Sequence, residues 1–535
     1  MDKPGDKSET TYSSLRPSGY SRREALGMIG AGSAAILSGY PANAAHAQTA
    51  PAPSTPPRRG GVLKLGHPSD VYGFDPTALP EGNYQMVFGI YDTLLTMDEK
   101  YQLVPQLAES WEMLDGGKRI HMKLQKGVTF HSGREFTADD VVFSLKRTQD
   151  PEVAANIMAQ AQIVKEAKSD GKYDIDFRLD KPYSAIMEMF DNLFIMDRES
   201  VATIKTKGVG TGPFALKAWL PNTKVVLERN PNYWKSGQPY LDGVELIVIP
   251  DAAALAINME SAAIDMAHGL SPTDLRRLQP NKEVRVILAG YGSDYNDVLM
   301  NVTKPPFDNA KVRAAIAAAI DRDRFAKNFY AGFSEPVCLP FRPGSLAYFE
   351  DQAKQWEYNL DKAKVLLRDA GVSAANVSVL VSPRGYWMGS DTLGQIMQAD
   401  LKTVGFNIRI DNQPQAQARP RWQKSDFEMC NHTFSKANKD PLTLFTGARV
   451  WVVNCKMNVT QFCSEKYTKL VNEASATLDA EKRRQIFREI NEIILAENFC
   501  LTIAPGFRGY VHHKRVQGAQ FNLDGFAILG GTWFE

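Results

Sequence analysis

Two loop sequences carry the residues best suited to gripping a small molecule. Arg384-Gly385-Tyr386-Trp387-Met388-Gly389 lies between a strand predicted over Val377–Val381 and a helix beginning near Asp391, and Arg449-Val450-Trp451 follows Asp440-Pro441. An arginine can hold a carboxylate through two parallel donors, and a tryptophan covers a broad apolar area while its indole N–H still seeks a partner. Loops at strand ends suit such contacts, because a rigid sheet holds them in place. This is the chemistry of enclosure and recognition. Ordinary packing is the competing reading for both tryptophans and both arginines.

Catalytic and metal chemistry leave weaker traces. No G-x-S-x-G elbow occurs, and the Ser, His and Asp residues never gather into a local catalytic signature. A triad dispersed in sequence and assembled in space is the alternative. The eight His, including His512-His513, form no H-E-x-x-H spacing. Five Cys are too few to staple a chain of 535 residues, although Cys455 and Cys463 could close a short disulfide loop. Cys338, Cys430 and Cys500 equally suit small buried positions. Gly210-Thr211-Gly212 lacks the following Gly-Lys-Ser/Thr of a phosphate loop, and Gly30-Ala31-Gly32-Ser33-Ala34-Ala35 has no preceding strand, so neither string argues for a nucleotide. Lys+Arg 62 against Asp+Glu 61 gives a net charge of +1, without a polybasic drive toward nucleic acid.

The elements that position these residues begin late in the chain. Ser21-Arg22-Arg23-Glu24-Ala25-Leu26 opens a mild Gly/Ala-rich run through Gly39, and Ala45-His46-Ala47 offers the small residues a signal peptidase favours. The arginine pair resembles a twin-arginine export signal, with Ala25 where that pattern has an aromatic residue. Residues 1–47 are therefore read as a signal peptide and 48–60, with Pro51, Pro53, Pro56 and Pro57, as a linker. No later run reaches the roughly 20 apolar residues of a membrane span.

From Gly61 onward, helix and strand signals alternate, which supports α/β lobes. Strands are predicted at Val62–Leu65, Arg119–Leu124, Val244–Ile249 and Phe406–Ile410, with a hairpin pairing Ala215–Trp219 and Lys224–Glu228. Met86–Leu95 reads as a helix. Thr137, with Asp140 three residues on, marks another helix start, and Asp308 or Asn309 can cap Ala310–Ile320. Leu360–Ala370 and Leu393–Val404 are helices stopped by Gly371 and Gly405, and Glu465–Ala476 and Ala480–Ala496 are two more near the end.

Ordered strings along the chain resemble the peptide/nickel/opine-binding family of solute receptors that serve bacterial ABC importers. They include Leu103-Val104-Pro105-Gln106-Leu107-Ala108-Glu109-Ser110-Trp111, Gly127-Val128-Thr129-Phe130-His131-Ser132-Gly133, Gly210-Thr211-Gly212-Pro213-Phe214, Glu228-Arg229-Asn230-Pro231-Asn232-Tyr233-Trp234 and Pro306-Phe307-Asp308-Asn309-Ala310. The resemblance implies an α/β, two-lobed periplasmic-binding-protein fold of type II with an additional subdomain in the first lobe. Its expected divisions are 61–300 for the first lobe, with the subdomain at about 98–207, then 301–504 for the second lobe and 505–535 returning to the first.

The resemblance also implies a periplasmic monomer that passes a short peptide or small organic solute to a membrane permease, with no catalysis, cofactor, direct ATP binding or nucleic-acid partner. Within it, Asp440 is the nearest counterpart of an aspartate that receives a peptide amino group. Lys436 and Lys439 depart from the family pattern and favour a carboxylate-bearing or opine-like solute as the alternative. The expected contacts are Trp387, Arg384, Asp440 and Trp451 from the second lobe and Tyr84 and Gln85 from the first. A secreted hydrolase or chaperone-like binding protein is the competing reading from another class.

Overall fold

Short strands separated by turn residues assemble into three principal sheets. The computed structural model describes residues 56–77, 84–98, 101–382, 387–435 and 439–535. The expected export segment and Arg384 lie outside these described residues.

The first sheet has seven strands in the spatial order Val284–Ala289, Arg508–His513, Met266–His268, Val62–His67, Gly243–Val248, Lys224–Arg229 and Phe214–Leu220. Val62–His67 is its parallel centre, pairing in the same direction with Gly243–Val248 and with Met266–His268. Its outermost pair is the hairpin of Phe214–Leu220 and Lys224–Arg229. The second sheet runs Phe406–Asn412, Ala375–Val381, Met429–Ser435, Asp294–Met300 and Cys500–Pro505. One face of it packs on helices Ala310–Ala319, Leu360–Asp369 and Ser390–Lys402 through Val312, Ile316, Leu367, Leu393 and Met397. A third sheet, Ala108–Leu114, Arg119–Leu124, Asp174–Leu179 and Val164–Ser169, is antiparallel throughout. Its apolar face shares one continuous core with the other face of the second sheet, including Ile120, Phe177, Phe190, Phe445 and Phe487.

The chain crosses between the first and second sheets twice, at residues 290–293 and at Gly506-Phe507. The two crossings bond to each other: Gly292 N–H donates to the Gly506 carbonyl at 2.8 Å, and Gly506 N–H donates to the Asp294 carbonyl at 2.8 Å. A Cβ at Gly506 would stand 1.7 Å from Asp294 Oδ1, so only glycine allows this approach.

Local signals explain most element boundaries. Asp140 accepts the Thr137 N–H at 3.0 Å at the start of helix Ala138–Gln149. Asn309 caps Ala310–Ala319 by accepting the Lys311 N–H at 2.9 Å. The helix expected through Leu95 instead spans Tyr84–Ile90, and Leu95–Met97 is a strand. Asp92 separates the two because its carboxylate is recruited by Thr211 Oγ1 at 2.9 Å and Trp234 Nε1 at 3.0 Å, which fixes the chain in a non-helical path.

Candidate functional site

Helix Tyr84–Ile90 places Tyr84 and Phe88 one turn apart on the same face. Phe194, just beyond helix Ile186–Asn192, and Phe526, near the C-terminus, complete an aromatic cluster with them. Ring centroids are 5.2 Å apart for Tyr84 and Phe526, 5.3 Å for Phe88 and Phe194, and 6.0 Å for Tyr84 and Phe194. Helix Ile186–Asn192 adds Glu188 and Asn192, again one turn apart, and the segment opening helix Pro441–Gly447 adds Thr443. These residues, with Asp524, line a cleft that is partly open to solvent.

Beneath the cleft lies an ion-pair network that joins distant parts of the chain. Asp440 N–H donates to Glu188 Oε2 at 2.9 Å, and Thr443 Oγ1 donates to the same oxygen at 3.2 Å. Lys439 pairs with Asp191 and, at 3.0 Å, with Asp524. Burial pushes the Glu188 carboxyl up to about 7, against the pull of Lys439 and the Asp440 N–H. Asp524 behaves oppositely: burial disfavours its charge, but Lys439 and Arg342 outweigh that and hold it below the usual carboxylate range. One buried acid is thus poised to gain or lose its proton near neutrality, while its neighbour stays ionised.

Of the residues picked out from sequence, Tyr84 lines the cleft. Gln85, one position on, turns inward, is buried, and donates to the Tyr510 hydroxyl. Asp440 caps helix Pro441–Gly447 by accepting the Leu442 N–H at 3.0 Å, and both its oxygens accept from Arg483, at 2.6 and 2.9 Å. That arrangement commits Asp440 to holding the network together. Trp387 is buried edge-on against His432, with centroids 5.2 Å apart. Trp451 is fully buried beside Phe499, and its carbonyl accepts from the Tyr467 hydroxyl at 2.7 Å, a packing role within the core. Cys455 and Cys463 are joined, with Cα atoms 5.0 Å apart. Among the described residues, no three His, Cys, Asp or Glu side chains are grouped to hold a metal ion, and no helix is long and apolar enough to cross a membrane.

Glu188, Asp524, Phe88, Phe194 and Phe526 were not singled out by sequence reasoning. One signal was present: Ile186-Met187-Glu188-Met189-Phe190-Asp191-Asn192 sets two acids in an otherwise apolar helix, and buried acids of this kind require partners.

Comparison with known proteins gives this cleft its context. The model of the bacterial extracellular solute-binding proteins, family 5, middle region, matches residues 102–449, well over half of the chain. Di/tripeptide-binding protein 2 of Pseudomonas aeruginosa is 24% identical over 480 residues, covering 83% of this chain and 90% of the relative. The periplasmic binding protein DppA of Helicobacter pylori, solved with the peptide STSA, superposes with a TM-score of 0.75 at 24% identity, covering 89% of this chain and 99% of that one. AgaA of A. tumefaciens R10, solved with agropinic acid, gives a TM-score of 0.75 at 20% identity, covering 89% and 99%. The fold is the two-lobed periplasmic-binding-protein fold of type II, and the role is transport and not catalysis. The chain belongs to the family 5 bacterial extracellular solute-binding proteins, as the periplasmic receptor that hands captured solute to the membrane permease of an ABC importer.

Proposed function

We propose that the cargo is a small solute bearing a protonated amine, with a short peptide as its leading form. The observation that carries this reading is the lining of the cleft: among the described residues, the side chains facing it that carry charge near neutral pH are Glu188 and Asp524, both carboxylic, set against the rings of Tyr84, Phe88, Phe194 and Phe526. A carboxylate beside π faces favours a cation with an apolar body. A simple carboxylate would meet repulsion from Asp524. The peptide-binding relative in P. aeruginosa and the peptide-bound H. pylori receptor support the peptide form.

The receptor works by differential closure. A solute that touches Tyr84 on one side and Thr443 on the other favours the closed arrangement over the open one, and only such two-sided contacts bias closure. In this reading the lobes divide at the crossings, residues 290–293 and Gly506-Phe507, a few residues from the divisions expected at 300 and 504, and a subdomain at about 98–207 belongs to the first lobe. Residues 1–47 direct export through the twin-arginine route. Of the residues picked out from sequence, Tyr84 is the one that meets the cargo directly in this reading.

Native mass spectrometry of freshly purified protein, followed by denaturing extraction, tests the proposal. The released compound should carry a basic amine and be chemically unchanged. A series of short peptides would establish the peptide form. A discrete carboxylate without an amine, of the opine kind, would overturn the proposal.

A further inference from the structure

A small side chamber adjoins the cleft beside Tyr84. Tyr84, Ile157, Asn192 and Phe194 line both spaces, so a solute in the cleft meets the chamber along this shared wall. The remaining walls come from the turn Pro76-Thr77, from Thr148 on helix Ala138–Gln149, and from Asn156. Asn156 N–H donates to the Thr77 carbonyl at 2.9 Å, and Asn156 Nδ2 donates to the Tyr84 hydroxyl at 3.0 Å, which ties three separate segments around the space. The chamber has room for about one water molecule, so a single small group of a bound solute fills it.

What the chamber offers depends on which of its polar atoms are already engaged. Thr148 Oγ1 donates its proton to the Ser144 carbonyl at 2.8 Å, and Thr77 Oγ1 donates to Asp75 at 2.6 Å. Both hydroxyls therefore retain only lone pairs. Asn192 Nδ2 donates to the Glu188 carbonyl at 3.1 Å, and among the described residues no donor meets its Oδ1. The Tyr84 hydroxyl accepts from Asn156, and among the described residues its own proton meets no acceptor. The chamber thus presents the Tyr84 O–H as a donor beside several acceptors. No described residue lining it carries charge near neutral pH, and Asp75 behind Thr77 is already paired with Arg147.

These atoms discriminate between chemical groups. An ammonium would find no carboxylate there, a carboxylate would crowd the acceptors, and a methyl would leave the phenol and the Asn192 oxygen unpaired. A hydroxyl can accept from Tyr84 and donate to Asn192 Oδ1 at once. Asn192 lies four residues after Glu188 on one helix, and such pairs hold their Cβ atoms about 6 Å apart. An amine and a hydroxyl on adjacent carbons stand about 3 Å apart, so hydrogen bonds at both ends span that turn.

We propose that the side chamber bounded by Tyr84, Thr148 and Asn192 is a subsite for a hydroxyl on the carbon next to the one bearing the cargo's amine. The preferred cargo is then a β-hydroxy amine, such as a dipeptide beginning with serine. This inference rests on the amine-bearing cargo proposed above and names the group beside that amine.

Two probes that differ only in a hydroxyl against a methyl test it: seryl-leucine and 2-aminobutyryl-leucine, titrated by calorimetry. The wild-type protein should bind seryl-leucine at least about fivefold more tightly, the ratio expected for one net neutral hydrogen bond. Tyr84→Phe, which keeps the ring and removes the donor, should bring that ratio to about one. Glu188→Gln should weaken both probes alike and preserve the ratio. Equal affinity of the wild type for the two probes, or a preference for the 2-aminobutyryl form, overturns the subsite while the amine reading stands. Binding of neither overturns both. A fivefold preference that survives Tyr84→Phe refutes the assignment to this chamber. Circular dichroism shows whether that variant folds, and if it does not, Asn192→Leu, which removes the acceptor, takes its place with the same expected loss of preference.

Discussion

Replacing Glu188 by glutamine should make the protein more stable at alkaline pH and leave it unaltered at acid pH. In the folded protein this carboxyl is buried, accepts from the Asp440 N–H and Thr443 hydroxyl, and is pushed up to about 7 from an ordinary value of 4.5. The stability tied to its proton is fully present below about 4.5 and is lost as pH rises through about 7, because the folded state binds the proton more tightly than the unfolded state. A displacement of that size corresponds to about 3 kcal/mol between the two ends of the window. Glutamine keeps a carbonyl oxygen for both donors and never ionises. The variant should therefore match the wild type near pH 4.5 and exceed it by up to about 3 kcal/mol at pH 8. Urea denaturation of both proteins at half-unit intervals from pH 4.5 to 8 gives the difference directly, with the other titrating groups cancelling. A variant less stable than the wild type at pH 8 would refute the reasoning, because it would mean that the ionised carboxylate contributes more through its partners than burial costs it.

Lys439→Met should cost about 3–5 kcal/mol in urea unfolding, since it leaves the carboxylates of Asp191 and Asp524 without the cation between them. Trp451→Ala should lower stability by about 3–5 kcal/mol with little change in solute affinity, whereas Phe526→Ala should weaken binding by about 2 kcal/mol with a smaller effect on stability; paired denaturation and calorimetry separate the two. Replacing Cys455 and Cys463 together by serine should remove about 2–3 kcal/mol, the closure entropy of so short a loop, as measured by thermal and urea unfolding under oxidising conditions.

Sequence reasoning succeeded where the causes are local. The cap at Thr137 and Asp140, the cap at Asn309 and the hairpin of Phe214–Leu220 with Lys224–Arg229 each depend on residues a few positions apart. It fell short where partners come from far along the chain. Strands Val164–Ser169 and Asp174–Leu179 carry charged residues on an exposed face and acquire their identity by pairing with each other and with Arg119–Leu124. The cleft draws on positions 84, 188, 443 and 524, a juxtaposition that no local pattern contains. Residue type also misled: Trp451 has the size and chemistry of a ligand contact, but burial against Phe499 decides its role. Asp440 is committed by Arg483, which lies 43 positions away, while the Lys439 beside it, read from sequence as a departure from the family pattern, is the residue that ties three segments together.

The central claim is that an amine-bearing solute is captured unchanged through the carboxylic, aromatic cleft. Calorimetric titration of the protein with leucyl-leucine and with its N-acetylated counterpart tests it most directly, with the ligand recovered and analysed afterwards. The account predicts one site per chain, intact ligand, and loss of binding on acetylation, because the neutral amide has no charge to offer Glu188 and Asp524. Equal binding of the acetylated and free forms would contradict it.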